Sequence, residues 1–182
     1  MKQQICDICR KMYSFGWGAF NGNVSVRLEN GDILVTPSRV SKEHITPEML
    51  VTYPDPRCSS ETKMHLRAYS TRADIGAIVH AHPPYATAFA VARKPLDGSL
   101  LVEMSLTIGD VPVAEFAEQG TDAVGNSIAE LLHSHDVILL ANHGVVAVGA
   151  DLPSAFAKLE TAELCAKTIL LAGLVERGER AC

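Results

Sequence analysis

The sequence predicts an α/β layered domain around a mostly antiparallel sheet, and three observations carry that prediction. Short apolar runs of strand length are joined by hairpin turns, such as Asn30-Gly31 between Val24–Leu28 and Asp32–Val35. Helical patterns lie among them without strict βα alternation, so an all-parallel sheet does not fit. At 182 residues the chain has room for one full core, and no linker, repeat or low-complexity segment divides residues 1–182.

Each element follows from local pattern. Residues 3–17 place Ile5, Ile8, Cys9, Met12 and Phe15 at helical spacing, stopped by Gly16 and Gly18. Asn21-Gly22-Asn23 signals a turn, because glycine and asparagine tolerate positive φ. Val24–Leu28 alternates as a half-buried strand does, and Asp32–Val35 returns beside it. A loop follows at Thr36-Pro37-Ser38-Arg39, then a short helical start at Thr46-Pro47-Glu48. Met49–Tyr53 is a weaker strand, broken by Pro54 and Pro56. Ser59-Ser60-Glu61 opens a helix to about Arg72, with a serine expected as its cap.

Gly76–His80 is the central strand, and Tyr85–Ala92 is a helix of small residues. Residues 96–114 read as short strand runs broken by Gly109-Asp110 and Pro112. Gly120–Leu132 forms an amphipathic helix. Two buried strands, Val137–Ala141 and Val145–Val148, are joined by Asn142-His143-Gly144. Asp151 opens the final helix to Glu176, with Pro153 in its first turn.

Composition narrows the function. Apolar residues make up 47% and charged ones 20%, an apolar surplus that favours a buried subunit interface. A net charge of −5 offers no basic footprint for nucleic acid, leaving a small-molecule enzyme as the better expectation. No apolar run reaches bilayer-spanning length and the N-terminus shows no signal-peptide core, which reads as a cytoplasmic protein without a membrane partner. The five cysteines are scattered, and Cys6-Asp7-Ile8-Cys9 falls inside a helix, so it reads as packing and not as a redox pair.

The chemistry gathers on histidine. In a strand, residues i and i+2 share a face, so His80 and His82 project side by side, and Pro83-Pro84 ends the strand at a cavity. His143 sits at a turn tip; with that hairpin beside the central strand, the three imidazoles converge. Three neutral imidazoles leave a divalent metal its full charge and an open position. His133-Ser134-His135 has the same spacing but falls at a helix end, where i and i+2 point apart. Glu61 is read either as a first-turn residue favouring the helix dipole or as a general base beside the metal. His65, one turn on, is left as a core residue or a support behind the ligands.

Together, Gly22–Arg27, Thr36-Pro37-Ser38, Ser59-Ser60-Glu61, His80-Ala81-His82-Pro83 and Asn142-His143-Gly144 resemble the zinc-dependent class II aldolase/adducin family over nearly the whole chain. The resemblance implies a three-layer α/β/α fold and a homotetramer with active sites between subunits. It implies Zn2+ on His80, His82 and His143, with Glu61 as acid/base. Gly22, Asn23, Ser38, Ser59 and Ser60 would bind the phosphate of a sugar phosphate. The implied reaction splits a ketose 1-phosphate into dihydroxyacetone phosphate and an aldehyde through a zinc-stabilised enediolate. Decarboxylase, epimerase and non-catalytic adducin-like members are the alternatives.

Three positions depart from the family pattern. Phe20 replaces a small hydroxyl residue, and Arg39 stands where glycine is usual. Residues 96–112 carry no tyrosine, and Glu103 is an ionisable residue in the first half of that stretch. Arg39 is read either as a bidentate anion clamp or as filling at a subunit contact.

Overall fold

The computed structural model describes residues 1–178. One sheet is formed by β1 (Asn23–Arg27), β2 (Ile33–Val35), β3 (Val51–Thr52), β4 (Ala77–Ala81), β5 (Val113–Ala114), β6 (Val137–Leu140) and β7 (Gly144–Gly149). Its order is β3-β2-β1-β4-β7-β6-β5, antiparallel throughout except for the β5–β6 pair. On one face pack α1 (Lys2–Ser14), α3 (Pro84–Ala92), α4 (Val102–Thr107) and α6 (Leu152–Glu176); on the other pack α2 (Thr62–Thr71) and α5 (Asp122–Ala129). The three-layer α/β/α arrangement matches the fold expected from the sequence.

Strand periodicity distributes the core between the two layers. Along β4, Ala77, Val79 and Ala81 enter the α6 side while Ile78 enters the α2 side. His80 shares the parity of Ile78 and therefore points toward α2. In β1, Val24 and Val26 join the α6-side core. Its alternate residues Asn23 and Ser25 are buried too, at 2% and 0% exposure, so this strand is covered on both faces and is not half-solvated. The reason is α2, whose polar side chains meet them: Asn23 bonds Glu61 and Ser25 bonds His65.

Several local expectations change. No serine side chain takes the N-cap of α2; Glu61 occupies that position with its own side chain turned away from the helix. The Ser59 carbonyl accepts the Thr62 N–H at 3.0 Å, and Ser59 Oγ accepts the Glu61 N–H at 3.4 Å. Thr46–Glu48 makes a turn and not a helix start. Residues 96–114 hold a short 3-10 turn and α4 in place of strand runs, with Leu96 and Val111 alone bridging before β5. Asp97 favours the 3-10 turn at Gly98–Leu100 by accepting the Ser99 N–H at 2.8 Å, a local bond that competes with strand pairing. Helix α6 begins as expected, with a reciprocal Asp151–Ser154 cap.

Candidate metal centre and anion pocket

Three elements bring the histidines together. The fully buried His80 lies on β4, and His82 follows one residue past the strand end. His143 stands in the β6–β7 turn, where Asn142 takes a left-handed φ of 58°. Gly144 is required there, since a Cβ would lie 2.6 Å from both the His82 ring and the Ala81 carbonyl. Ligand atoms of His80, His82 and His143 fall within 4.8 Å of one another, with the Nε2 atoms of His80 and His82 3.2 Å apart. Nitrogens on one tetrahedral ion at about 2.0–2.1 Å stand roughly 3.3 Å apart, so that pair already has ligand spacing.

Protonation agrees with a ligand role. His80 Nδ1 faces the Val145 carbonyl at 2.8 Å. A carbonyl only accepts, so Nδ1 carries a proton and Nε2 is the nitrogen that faces the centre. Glu61, 4% exposed, faces this group: Oε2 is 3.2 Å from His80 Nε2 and Oε1 is 3.3 Å from His143 Nε2. The second contact lacks hydrogen-bond geometry, leaving Glu61 Oε1 and His143 Nε2 buried without a hydrogen-bond partner. Buried polar atoms rarely stay unpaired, and a cation between them would satisfy both. Three imidazoles and a carboxylate suit a divalent transition-metal ion.

The electrostatics follow from burial and these facing charges. Burial pushes the Glu61 carboxyl up, but His80, His143 and the Asn23 amide outweigh it and hold it well below the usual carboxylate range. Burial pulls His80 down, and the Glu61 carboxylate more than reverses this. Burial, then the His80 and His143 charges, lowers His82 to about 3. Burial and His80 lower His143 to about 4. His65 is fully buried with Nδ1 2.6 Å from Ser25 Oγ, and burial lowers it to about 3. It stands behind Glu61 and outside the histidine group.

Beside Glu61 opens a polar cavity of about 280 Å³. Gly22, Asn23, Ser38, Arg39, Ser59 and Ser60 all line it, so the structure brings the sequence-selected residues together. Gly22 has φ +77° and a Cβ there would lie 2.7 Å from the His80 carbonyl, which fixes this loop against the histidine strand. Ser38 Oγ donates to the Cys58 carbonyl and accepts the Ser60 N–H, tying the two serine-bearing loops. Asn23 is turned partly to another task, donating to Glu61 Oε2 at 2.9 Å. Phe20 and Gln119 also line the cavity. Gln119 sits in the connection before α5 and carried no sequence signal.

The family of the Class II Aldolase and Adducin N-terminal domain matches residues 3–170, and the chain belongs to it. Within that family it is a metal-dependent lyase, as its named relatives indicate. An L-fuculose phosphate aldolase from Methanocaldococcus jannaschii is 33% identical over 183 residues, spanning 97% of this chain and 99% of the relative. A 3-oxo-tetronate 4-phosphate decarboxylase from Pectobacterium atrosepticum is 31% identical, over 84% of this chain and 75% of that protein. The crystal structure of an L-fuculose-1-phosphate aldolase from Thermus thermophilus superposes with a TM-score of 0.89 at 29% identity, covering 99% and 97% of the two chains.

Proposed function

We propose that the protein is an aldolase that cleaves a ketose 1-phosphate into dihydroxyacetone phosphate and an aldehyde. The observation that carries this reading is the position of Glu61, which touches two of the three histidines and also walls the polar cavity. His80, His82 and His143 would hold a zinc ion. When bound, that ion supplies a fixed positive charge against the negative charge that develops on the substrate's carbonyl oxygen.

The remaining work falls to the chain. Ser38, Ser59, Ser60 and the Gly22-Asn23 turn offer hydroxyl and N–H donors to a phosphate, and Arg39 adds a cation at the rim. In the condensation direction the Glu61 carboxylate takes a proton from C3 of dihydroxyacetone phosphate as C3 bonds the aldehyde carbon. In cleavage the C3–C4 bond breaks as the C4 hydroxyl passes its proton to the Glu61 carboxylate, directly or through water, and Glu61 returns that proton to C3. Asn23 holds the carboxylate in place for both directions.

A second reading, decarboxylation of a 3-oxo acid phosphate, is favoured by Arg39 as a carboxylate partner and by the decarboxylase relative. Epimerisation would use the same centre, whereas the histidine group and Glu61 weigh against a non-catalytic module. Exposed apolar side chains on α4, Val102 at 77% and Leu106 at 79%, support association into the tetramer expected from the family. Among the described residues no helix is long and apolar enough to cross a membrane.

The test is a screen of ketose 1-phosphates for dihydroxyacetone phosphate, with 3-oxo acids assayed in parallel for CO2. Glu61→Gln should keep its metal and lose roughly 10²-fold or more in turnover. Undiminished turnover in that variant ends the acid/base assignment, and product from neither substrate class ends both readings.

A further inference from the structure

Lys42 is 1% exposed, the bulkiest of the fully buried side chains. Buried ammonium groups ordinarily face a carboxylate. Here Nζ approaches only the carbonyls of Phe20 and Val40, each at 3.5 Å, and no carboxylate pairs with it among the described residues. Cys9 lies close enough to sense its charge, but burial pushes that thiol up to about 12, so it is neutral and balances nothing. Burial also pulls Lys42 down from the usual lysine range.

The two carbonyls identify what this cation is for. Phe20 opens the segment Phe20–Asn23 that forms one lip of the polar cavity, and Val40 follows the segment Pro37–Arg39 that forms another. The Lys42 N–H also donates to the Ala19 carbonyl at 2.8 Å, fastening its backbone to the first lip. Arg39 is exposed to solvent, where salt screens its charge. A cation inside the protein is screened far less.

We propose that Lys42 is the fixed counter-charge of the anion pocket. It joins the two lips from behind, and its unbalanced charge makes the cavity favour a dianionic phosphate monoester over a neutral sugar. This rests on the phosphate reading given under Proposed function.

Calorimetric titration of inorganic phosphate into the metal-loaded protein tests it, using wild type, Lys42→Met and Lys42→Gln. Wild type should bind phosphate saturably, and both variants should bind it roughly tenfold more weakly with unchanged metal content. Lys42→Met, freed of an unpaired buried charge, should also melt at a higher temperature without phosphate. Lys42→Gln keeps amide donors for the two carbonyls, so it separates charge from tethering and decides the matter if Lys42→Met does not fold. Wild-type phosphate affinity in Lys42→Gln overturns the proposal alone. A wild-type protein that takes up no phosphate overturns the pocket reading first, and this inference with it.

Discussion

The two ends of α2 carry two polar clusters built on opposite principles. At its start, Glu61 meets His80 and His143 at 3.2 and 3.3 Å, and Glu61 Oε1, His143 Nε2 and Asn23 Oδ1 remain buried without hydrogen-bond partners. At its finish, Arg72 grips Asp74 through two bonds and reaches Asp136 at 2.6 Å and the Leu132 carbonyl at 3.1 Å. Lys158 closes that cluster, donating to the other Asp136 oxygen at 2.7 Å and to the Val148 carbonyl. Asp136 and His143 stand at opposite ends of β6, so one hairpin also spans both clusters. The finish is complete in itself and therefore serves the fold. The start has unspent coordinating capacity and is the end that accepts something from outside.

That contrast breaks most visibly at the histidines. His82→Ala should abolish stoichiometric metal binding, measured by elemental analysis after gel filtration, together with activity. Its metal-free form should melt close to metal-free wild type, because the ring completes no satisfied network. Chelation should lower the stability of wild type by about 4 kcal/mol if the metal was held at 1,000 times its dissociation constant, and should leave His82→Ala unmoved. A variant that unfolds instead would make the histidine end a structural cluster like its counterpart.

Next in size is the opposite change. Asp136→Asn weakens two charge-assisted contacts in a half-buried setting and should cost about 2 kcal/mol in urea unfolding. Metal content and activity per folded molecule should stay at wild-type levels. Loss of metal in Asp136→Asn would show the two ends of α2 to be coupled.

The sequence disclosed the open cluster better than the closed one. His80 and His82 were legible because strand parity and a double proline specify face and terminus within a few residues. His143 was legible as a histidine at a hairpin tip, a position its own strands cannot bury. The Arg72–Asp136–Lys158 cluster was silent, since each partner is an ordinary surface-type residue and only tertiary packing joins them. Lys42 was silent for the same reason, as nothing local tells a buried lysine from a solvated one. The helical character of residues 102–107 was also hidden, because Val102-Glu103-Met104-Ser105 has no strong period and no side chain caps the helix start at Leu101. The cap of α2 misled in an instructive way: Glu61 occupies a position that propensity gives to serine, and its carboxylate serves the histidines in place of the helix.

The smallest expected effect concerns acid. Burial pushes the Asp136 carboxyl up, but the bonds and charges of Lys158 and Arg72 outweigh it and hold it below the ordinary range. A carboxylate whose folded pKa is depressed contributes stability that is complete above its unfolded value of about 3.9 and is lost as pH falls through the folded value. Wild type should therefore lose stability more steeply below about pH 4 than Asp136→Asn, which has no carboxylate there to protonate. Glu61 is depressed as well and persists in both proteins, so only the difference between their acid slopes belongs to Asp136. Urea midpoints measured between pH 5 and pH 3 resolve it, and the slope difference should be smaller than the loss caused by Asp136→Asn at neutral pH. Parallel slopes would mean that Asp136 holds Arg72 and Lys158 by hydrogen bonding without help from its charge.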